Sequence, residues 1–224
     1  MPDAAREPVT MAILPVKRLD LAKQRLGAAL TPAQRRLLAE AMVSDVLAAL
    51  AAVSRLARTL VVTREPRITG LATQAGAEVV PDAAEAGQSA AATQGIGRAV
   101  ELGAGRILLV PGDCPALDPL ELEGLLSRAA SPGNASVTVV PDRHGTGTNA
   151  LLIAPPDALA PSFGPGSFER HRRDALRTGV TLEVARPASL LLDIDTAEDL
   201  AALRDRLGGA QGLAGFTRRA LERL

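Results

Sequence analysis

Arg106-Ile107-Leu108-Leu109-Val110-Pro111-Gly112-Asp113-Cys114-Pro115 is the stretch on which the fold turns. A short run with nothing polar between Ile107 and Val110 reads as a buried strand, and Pro111-Gly112 stops it, so Asp113 falls at the strand's carboxyl end. A helix is expected from about Asp118. Working outward, further apolar runs occupy residues 9–16, 60–63, 77–81, 136–140, 149–153 and 180–184. Between them lie longer Ala/Leu/Arg segments of helical period, and this alternation predicts an α/β layered domain with a mainly parallel sheet.

Helices are expected over residues 68–75, 87–102 and 167–177, and a long one opens at Thr31-Pro32, an N-cap followed by an N1 proline, and runs to about Ala52. A last one is capped by Thr196, with Glu198 and Asp199 in its first turn, after the apolar run 190–192 that ends in Asp193-Ile194-Asp195. No repeat, low-complexity tract or long linker divides the 224 residues, so one domain, 1–224, is expected.

Composition narrows the function classes. Lys plus Arg and Asp plus Glu both number 25, so a general polyanion binder is not expected, and with three Phe and no Trp or Tyr, stacking on bases is nearly unavailable. Nucleic acid is therefore not an expected partner. A single cysteine, Cys114, excludes an internal disulfide framework and a clustered-thiolate metal site, and fits a reducing cytoplasm. The N-terminus has no apolar signal region, and no stretch approaches the ~18 apolar residues of a membrane span, so neither export nor a membrane is expected.

In open α/β sheets ligands bind beyond the carboxyl ends of the strands, and three features fall there. The first is Leu14-Pro15-Val16-Lys17-Arg18-Leu19-Asp20-Leu21-Ala22-Lys23-Gln24-Arg25-Leu26, with four cationic groups in nine residues. Such a loop can surround a polyphosphate, although an arbitrary basic quartet is more often a solvated loop. All other basic residues of the chain are Arg, so both lysines in one short window suggest a need for a compact, flexible ammonium. The second is Asp113 together with Asp193 and Asp195, read here as acids on two strand ends that can meet over the sheet edge and hold Mg²⁺. The third is Gly145-Thr146-Gly147-Thr148 with Phe163-Gly164-Pro165-Gly166-Ser167, whose hydroxyls and N–H groups at a helix start suit a phosphate or carboxylate.

Several alternatives drop out. No phosphate-binding P-loop occurs, Gly95-Ile96-Gly97 lacks the third glycine of a dinucleotide fingerprint, and no Gly-x-Ser-x-Gly elbow is present. His144 and His171 are not at metal-ligand spacing and read as polar surface. Cys114, beside the carboxylate of Asp113, reads as a packing residue because a neighbouring negative charge raises a thiol pKa.

From residue 13 to about 203 the chain resembles the 2-phospholactate or phosphoenolpyruvate guanylyltransferases of deazaflavin coenzyme F-420 biosynthesis. Pro15-Val16-Lys17 with Ala22-Lys23-x-Arg25-Leu26 is similar to that family's opening signature, and Asp113-Cys114-Pro115-Ala116-Leu117 to its first metal motif. Gly145 to Leu151 resembles its central loop, Phe163 to Phe168 its acceptor turn, and Asp193-Ile194-Asp195-Thr196 its second metal motif. One departure stands out: the family usually shows Gly-Leu-Asn where this chain has Gly87-Gln88-Ser89.

The resemblance implies a three-layer α/β/α domain of the nucleotide-diphospho-sugar transferase, or GT-A-like, type. It also implies transfer of GMP from GTP to a small phosphorylated three-carbon acid, with Mg²⁺ as cofactor. By carry-over, Lys17, Lys23 and Arg25 contact the GTP phosphates, Pro15, Gly87 and Ser89 the nucleoside, and Asp113, Asp193 and Asp195 the metal. Thr148, Gly164 and Ser167 form the acceptor site. The Arg- and Ala-rich composition, typical of GC-rich genes of actinobacterial type, favours phosphoenolpyruvate over 2-phospho-L-lactate. A molybdenum-cofactor-type guanylyltransferase and a non-catalytic nucleotide-binding domain are the alternatives, and a homodimer stays open. The product is expected to pass to a downstream deazaflavin-transferring enzyme.

Overall fold

The computed structural model describes residues 7–128, 134–209 and 212–224. Its strands are β1 (Thr10–Pro15), β2 (Arg58–Thr63), β3 (Glu78–Pro81), β4 (Arg106–Leu109), β5 (Ser136–Pro141), β6 (Thr148–Ala154) and β7 (Thr181–Val184). They form one sheet in the order β3-β2-β1-β4-β6-β5-β7. Its helices are α1 (Pro32–Ala51), α2 (Pro66–Gln74), α3 (Gln88–Glu101), α4 (Pro119–Ser127), α5 (Ser167–Thr178), α6 (Ala197–Gly209) and α7 (Gly215–Leu221). No helix among the described residues is long and apolar enough to cross a membrane.

Six strands run one way and β6 runs against both its neighbours, β4 and β5. That single reversal matters for the site. It carries the start of β6, at Thr148, to the same edge as the carboxyl ends of β1 and β4. The sheet is covered on both faces, as period-two alternation along β1 makes clear: Ala12 and Leu14 join one apolar cluster, Met11 and Ile13 the other. On the first face lie α1, α2 and α4; on the second, α3 and α5. A third cluster joins α1 to α6 and to the 3₁₀ turn Gln24–Leu26 through Leu26, Met42 and Leu203.

Local signals in the sequence set the boundaries of these helices. Thr31 accepts from Gln34 N–H while the Gln34 side chain accepts from Thr31 N–H, a reciprocal cap that stabilises α1 by about 1 kcal/mol. Glu65 and Asp118 each accept from the first turn of α2 and α4, both of which begin with proline. Gly95 explains the Gly95-Ile96-Gly97 segment. A Cβ there would stand 2.5 Å from Ile13 Cγ2 and 2.9 Å from Val62 Cγ2, so α3 lies against the sheet only because this residue has no side chain.

One expected element is different. The run 190–192 does not form a strand; the chain makes a 3₁₀ turn at Ala188–Leu190 and continues as a loop through Asp193 to Asp195. Pro187 before the turn and the burial of Ser189 and Leu190 hold this segment against the domain without sheet pairing. The acids Asp193 and Asp195 therefore approach the sheet edge on a loop rather than on a strand end.

Candidate active site

Two cavities of about 310 and 330 Å³ open at the carboxyl edge of the sheet. Gln88, Asp113 and Asp195 line both, so the two are halves of one cleft with an acidic seam. Pro15, Val16, Lys17 and Lys23 line the first half, against Met42 and Val43 of α1. Thr148, Gly164, Ser167 and Asp193 line the second, with Arg25 at its rim.

The acidic seam is assembled by a backbone contact. Ile194 N–H donates to Asp113 C=O at 3.1 Å, which ties the loop after β4 to a loop some eighty residues later. With that contact made, Asp113, Asp193 and Asp195 bring one carboxylate oxygen each within 4.8 Å of one another. An all-oxygen set of three carboxylates fits Mg²⁺, which keeps its remaining positions for water and substrate phosphate. Supporting groups hold the acids in place. Asn149 donates to Leu190 C=O at 2.7 Å and to Asp193 Oδ1 at 3.2 Å. Asp199 accepts from the backbone N–H of Asp195 and Thr196 and pairs with Arg143 at 2.6 Å. Asn149, Asp199 and Arg143 were not among the expected site residues. Asn149 lies in the Gly145 to Leu151 motif and Asp199 in a helix first turn, but residue type alone does not show that Asn149 and Arg143 meet partners more than forty residues away.

Lys23 stands in the middle of the seam. Its side chain is 8% exposed, and its Nζ lies 2.5 Å from Asp113 and 2.9 Å from Asp195. Burial acts to lower its pKa, but the two carboxylates outweigh it and hold the ammonium well above its ordinary value. Lys23 also adopts the left-handed backbone conformation, φ 55°, a strain on the order of 1 kcal/mol that places the ammonium between the two loops. One ammonium does not balance three carboxylates. Burial, and then the charge of Asp113, push Asp193 up to about 6. The seam has room for further positive charge.

The other cationic residues are open to solvent. Lys17 is exposed, lines the first half of the cleft, and makes no hydrogen bond or ion pair among the described residues. Arg25 is 73% exposed, 3.9 Å from Asp195. Pro15 ends β1 at the floor of the first half.

Gly87 and Ser89 behave differently from expectation. Neither lines the cleft; Gln88 between them does. Gly87 is the residue before α3, with φ 103°, and Ser89 Oγ accepts the N–H of Phe163 at 2.9 Å. Ser89 thus supports the turn of the second half rather than a nucleoside in the first.

In the second half, Gly164 sits at φ 105°, a conformation that glycine adopts without strain, and Ser167 starts α5. The Ser167 hydroxyl is buried without a hydrogen-bond partner. A buried unpaired hydroxyl costs about 1–3 kcal/mol, a penalty held just beneath the cleft wall that Ser167 helps to line. His171 overturns the surface assignment. It is 0% exposed, beneath Thr148 and the turn. Cys114 is fully buried and its thiol is pushed well up by burial and then by Asp113, in keeping with a packing role.

The seven-stranded sheet with one reversed strand, covered by helices on both faces, is the fold of the nucleotide-diphospho-sugar transferases. A protein from Desulfovibrio desulfuricans G20 described as a nucleotide-diphospho-sugar transferase superposes with a TM-score of 0.74 at 15% identity, covering 96% of this chain and 94% of that one. Residues 10–207 match the model of the CofC-like guanylyl transferases, and the chain belongs to that family. It is 46% identical over 215 residues, 96% of both chains, to a protein of Conexibacter woesei named phosphoenolpyruvate guanylyltransferase. A Rubrobacter xylanophilus protein of the same name is 42% identical over 200 residues, 89% of this chain and 95% of that one.

Proposed function

We propose that this guanylyltransferase joins the GMP moiety of GTP to the phosphate of phosphoenolpyruvate, releasing pyrophosphate, with Mg²⁺ as cofactor. The observation that carries the reading is the acidic seam shared by a lysine-lined cavity and a second cavity that adds the hydroxyls and backbone of Thr148, Gly164 and Ser167. The names borne by the similar proteins support the choice of acceptor.

The chemistry needs no general base. A phosphate monoester has its second pKa near ~6, so at neutral pH the acceptor arrives as an anionic nucleophile. Its oxygen attacks the α-phosphorus of GTP, and the bond to the β-phosphate oxygen breaks in line. The barrier is the approach of two anions and the charge that gathers on the leaving pyrophosphate. Lys17, in the first half of the cleft, and Arg25, in the second, serve that charge. Lys23, held by Asp113 and Asp195, keeps a fixed positive centre between the two substrates. Mg²⁺ held by Asp113, Asp193 and Asp195 would supply charge neutralisation and a template for the phosphate oxygens. Thr148, Gly164 and Ser167 take the three-carbon acid, giving it hydrogen bonds without another cation. The product is an acid diphosphoguanosine suited to a downstream deazaflavin-transferring enzyme.

Phosphorus NMR with GTP, Mg²⁺ and either phosphoenolpyruvate or 2-phospho-L-lactate tests the reading. A new diphosphate diester signal with phosphoenolpyruvate, faster than with the lactate, is expected. Turnover with the lactate alone would replace the acceptor, and GTP binding without pyrophosphate release in any mixture would remove the activity.

A further inference from the structure

His171 is the one fully buried imidazole among the described residues, and its two nitrogens have different neighbours. Nε2 accepts the backbone N–H of Ser162 at 2.9 Å. A backbone amide nitrogen can only donate, so Nε2 carries the lone pair and a neutral ring carries its proton on Nδ1. Nδ1 lies 3.0 Å from Thr148 Oγ1. The ring therefore donates and the threonine oxygen accepts. A charged ring would set two N–H groups against each other at Ser162, and burial, followed by Arg170, pushes its pKa down to about 4.

The consequence falls on Thr148. With its oxygen accepting from His171, the hydroxyl keeps one hydrogen, and no group among the described residues takes it. Thr148 lines the second half of the cleft, which Ser167 at the start of α5 also lines, its own hydroxyl buried without a partner. The residue of α5 just before His171 completes the support. Arg170 donates to Ser162 Oγ at 3.0 Å, to the carbonyls of Ser162 at 2.9 Å and Phe163 at 3.1 Å, and to that of Pro165. The turn's carbonyls are thus occupied, and this wall of the cleft is biased toward donors.

We propose that His171 is a positioning residue for the acceptor: it sets the Thr148 hydroxyl as a donor to an anionic oxygen of the phosphorylated acid and anchors, through Ser162, the turn bearing Gly164 and Ser167. The inference rests on the acceptor reading of Thr148 and Ser167 given above. It assigns His171 no contact with the reacting atoms, so its signature is in acceptor binding rather than in the chemical step.

Two measurements test it together. Nitrogen-15 NMR of histidine-labelled protein at pH 7 is expected to show one imidazole, absent in His171→Gln, as the neutral Nδ1–H tautomer, with exposed His144 as the internal reference. In steady-state kinetics, Thr148→Val and His171→Gln are each expected to raise the KM for phosphoenolpyruvate about tenfold, the size of one lost hydrogen bond to a charged group, with the KM for GTP changed less than twofold. The double variant is expected to be no worse than the poorer single one, since the two residues act as a unit, and Thr148→Ser to restore binding. An Nε2–H tautomer or a charged ring overturns the proposal. So does a His171→Gln enzyme with an unchanged acceptor KM while Thr148→Val is impaired, and in both cases the acceptor reading stands. If Thr148→Val itself leaves the acceptor KM unchanged, the acceptor reading falls, and the proposal with it.

Discussion

Around Lys23 the cleft sets an ammonium directly between Asp113 and Asp195, whereas the wall formed by Thr148, Gly164 and Ser167 faces the same acids with hydroxyls and backbone, Arg25 standing only at the rim. In the proposed reaction both regions face anions. The first must hold a polyphosphate whose charge shifts during transfer, and opposed carboxylates and ammonium groups can follow that shift. The second would hold a small acid that is itself the nucleophile, and a wall of hydroxyls and amides can orient that acid without setting a further cation against it. Dipoles set by a neutral imidazole bind the acid and leave it reactive.

The largest way to break this contrast is at the seam. Asp113→Asn replaces a carboxylate of the proposed Mg²⁺ site with a poor ligand, and turnover is expected to fall about 10³-fold, roughly 4 kcal/mol of barrier, with the circular dichroism spectrum intact. Near-normal pyrophosphate release would take Asp113 out of the metal site. Lys23→Met is next. It leaves Asp113 and Asp195 facing each other, and in the absence of divalent ions it is expected to cost about 2–3 kcal/mol, below the range for a fully buried pair because Asp195 is 44% exposed. Urea titration should show this loss and its recovery with Mg²⁺. A variant as stable as the parent without metal would mean the ammonium is not neutralising the seam.

The support beneath Thr148 is broken by acid instead. His171 has its pKa depressed to about 4 in the folded protein, while the unfolded chain protonates near ~6.5, so the unfolded state binds more protons between those values. Its contribution to stability is complete above about pH 6.5 and is lost as pH falls toward 4. About 2 kcal/mol should disappear between pH 6.5 and 5, and His171→Gln should flatten that slope in urea midpoints. The smallest effect separates charge from ligation at one residue. Asp193→Asn removes a charge that burial and Asp113 disfavour, so in a chelator the melting temperature is expected to rise about 2 °C. With Mg²⁺ the order should reverse, because only the parent gains from the bound ion. A lower melting temperature in the chelator would show that Asp193 is not strained there.

Much of this was legible in the chain. The Arg106–Leu109 strand and its Pro-Gly stop placed Asp113 at the sheet edge, and Thr31-Pro32, Asp118-Pro119 and Thr196 marked helix starts that the structure keeps. Such signals are local: an apolar run, a missing N–H or a capping oxygen acts on its neighbours. The order of β4, β6 and β5 was not local, nor was the replacement of a strand by the Ala188–Leu190 turn. Gln88 escaped notice because helix phase, not residue type, decides which of three consecutive side chains faces the cleft. His171 escaped because one histidine carries no spacing.

By itself, the sequence determined the alternation of strands and helices, the edge at which ligands bind, and the residue types gathered there, since these follow from hydrophobic period and backbone chemistry. Only the tertiary structure decided which of those residues meet. The Ile194–Asp113 bond, the ammonium of Lys23 between two acids, and the buried imidazole beneath Thr148 each join positions far apart in the chain. Their energies come from packing, desolvation and charge at short range, which exist only once the chain has folded.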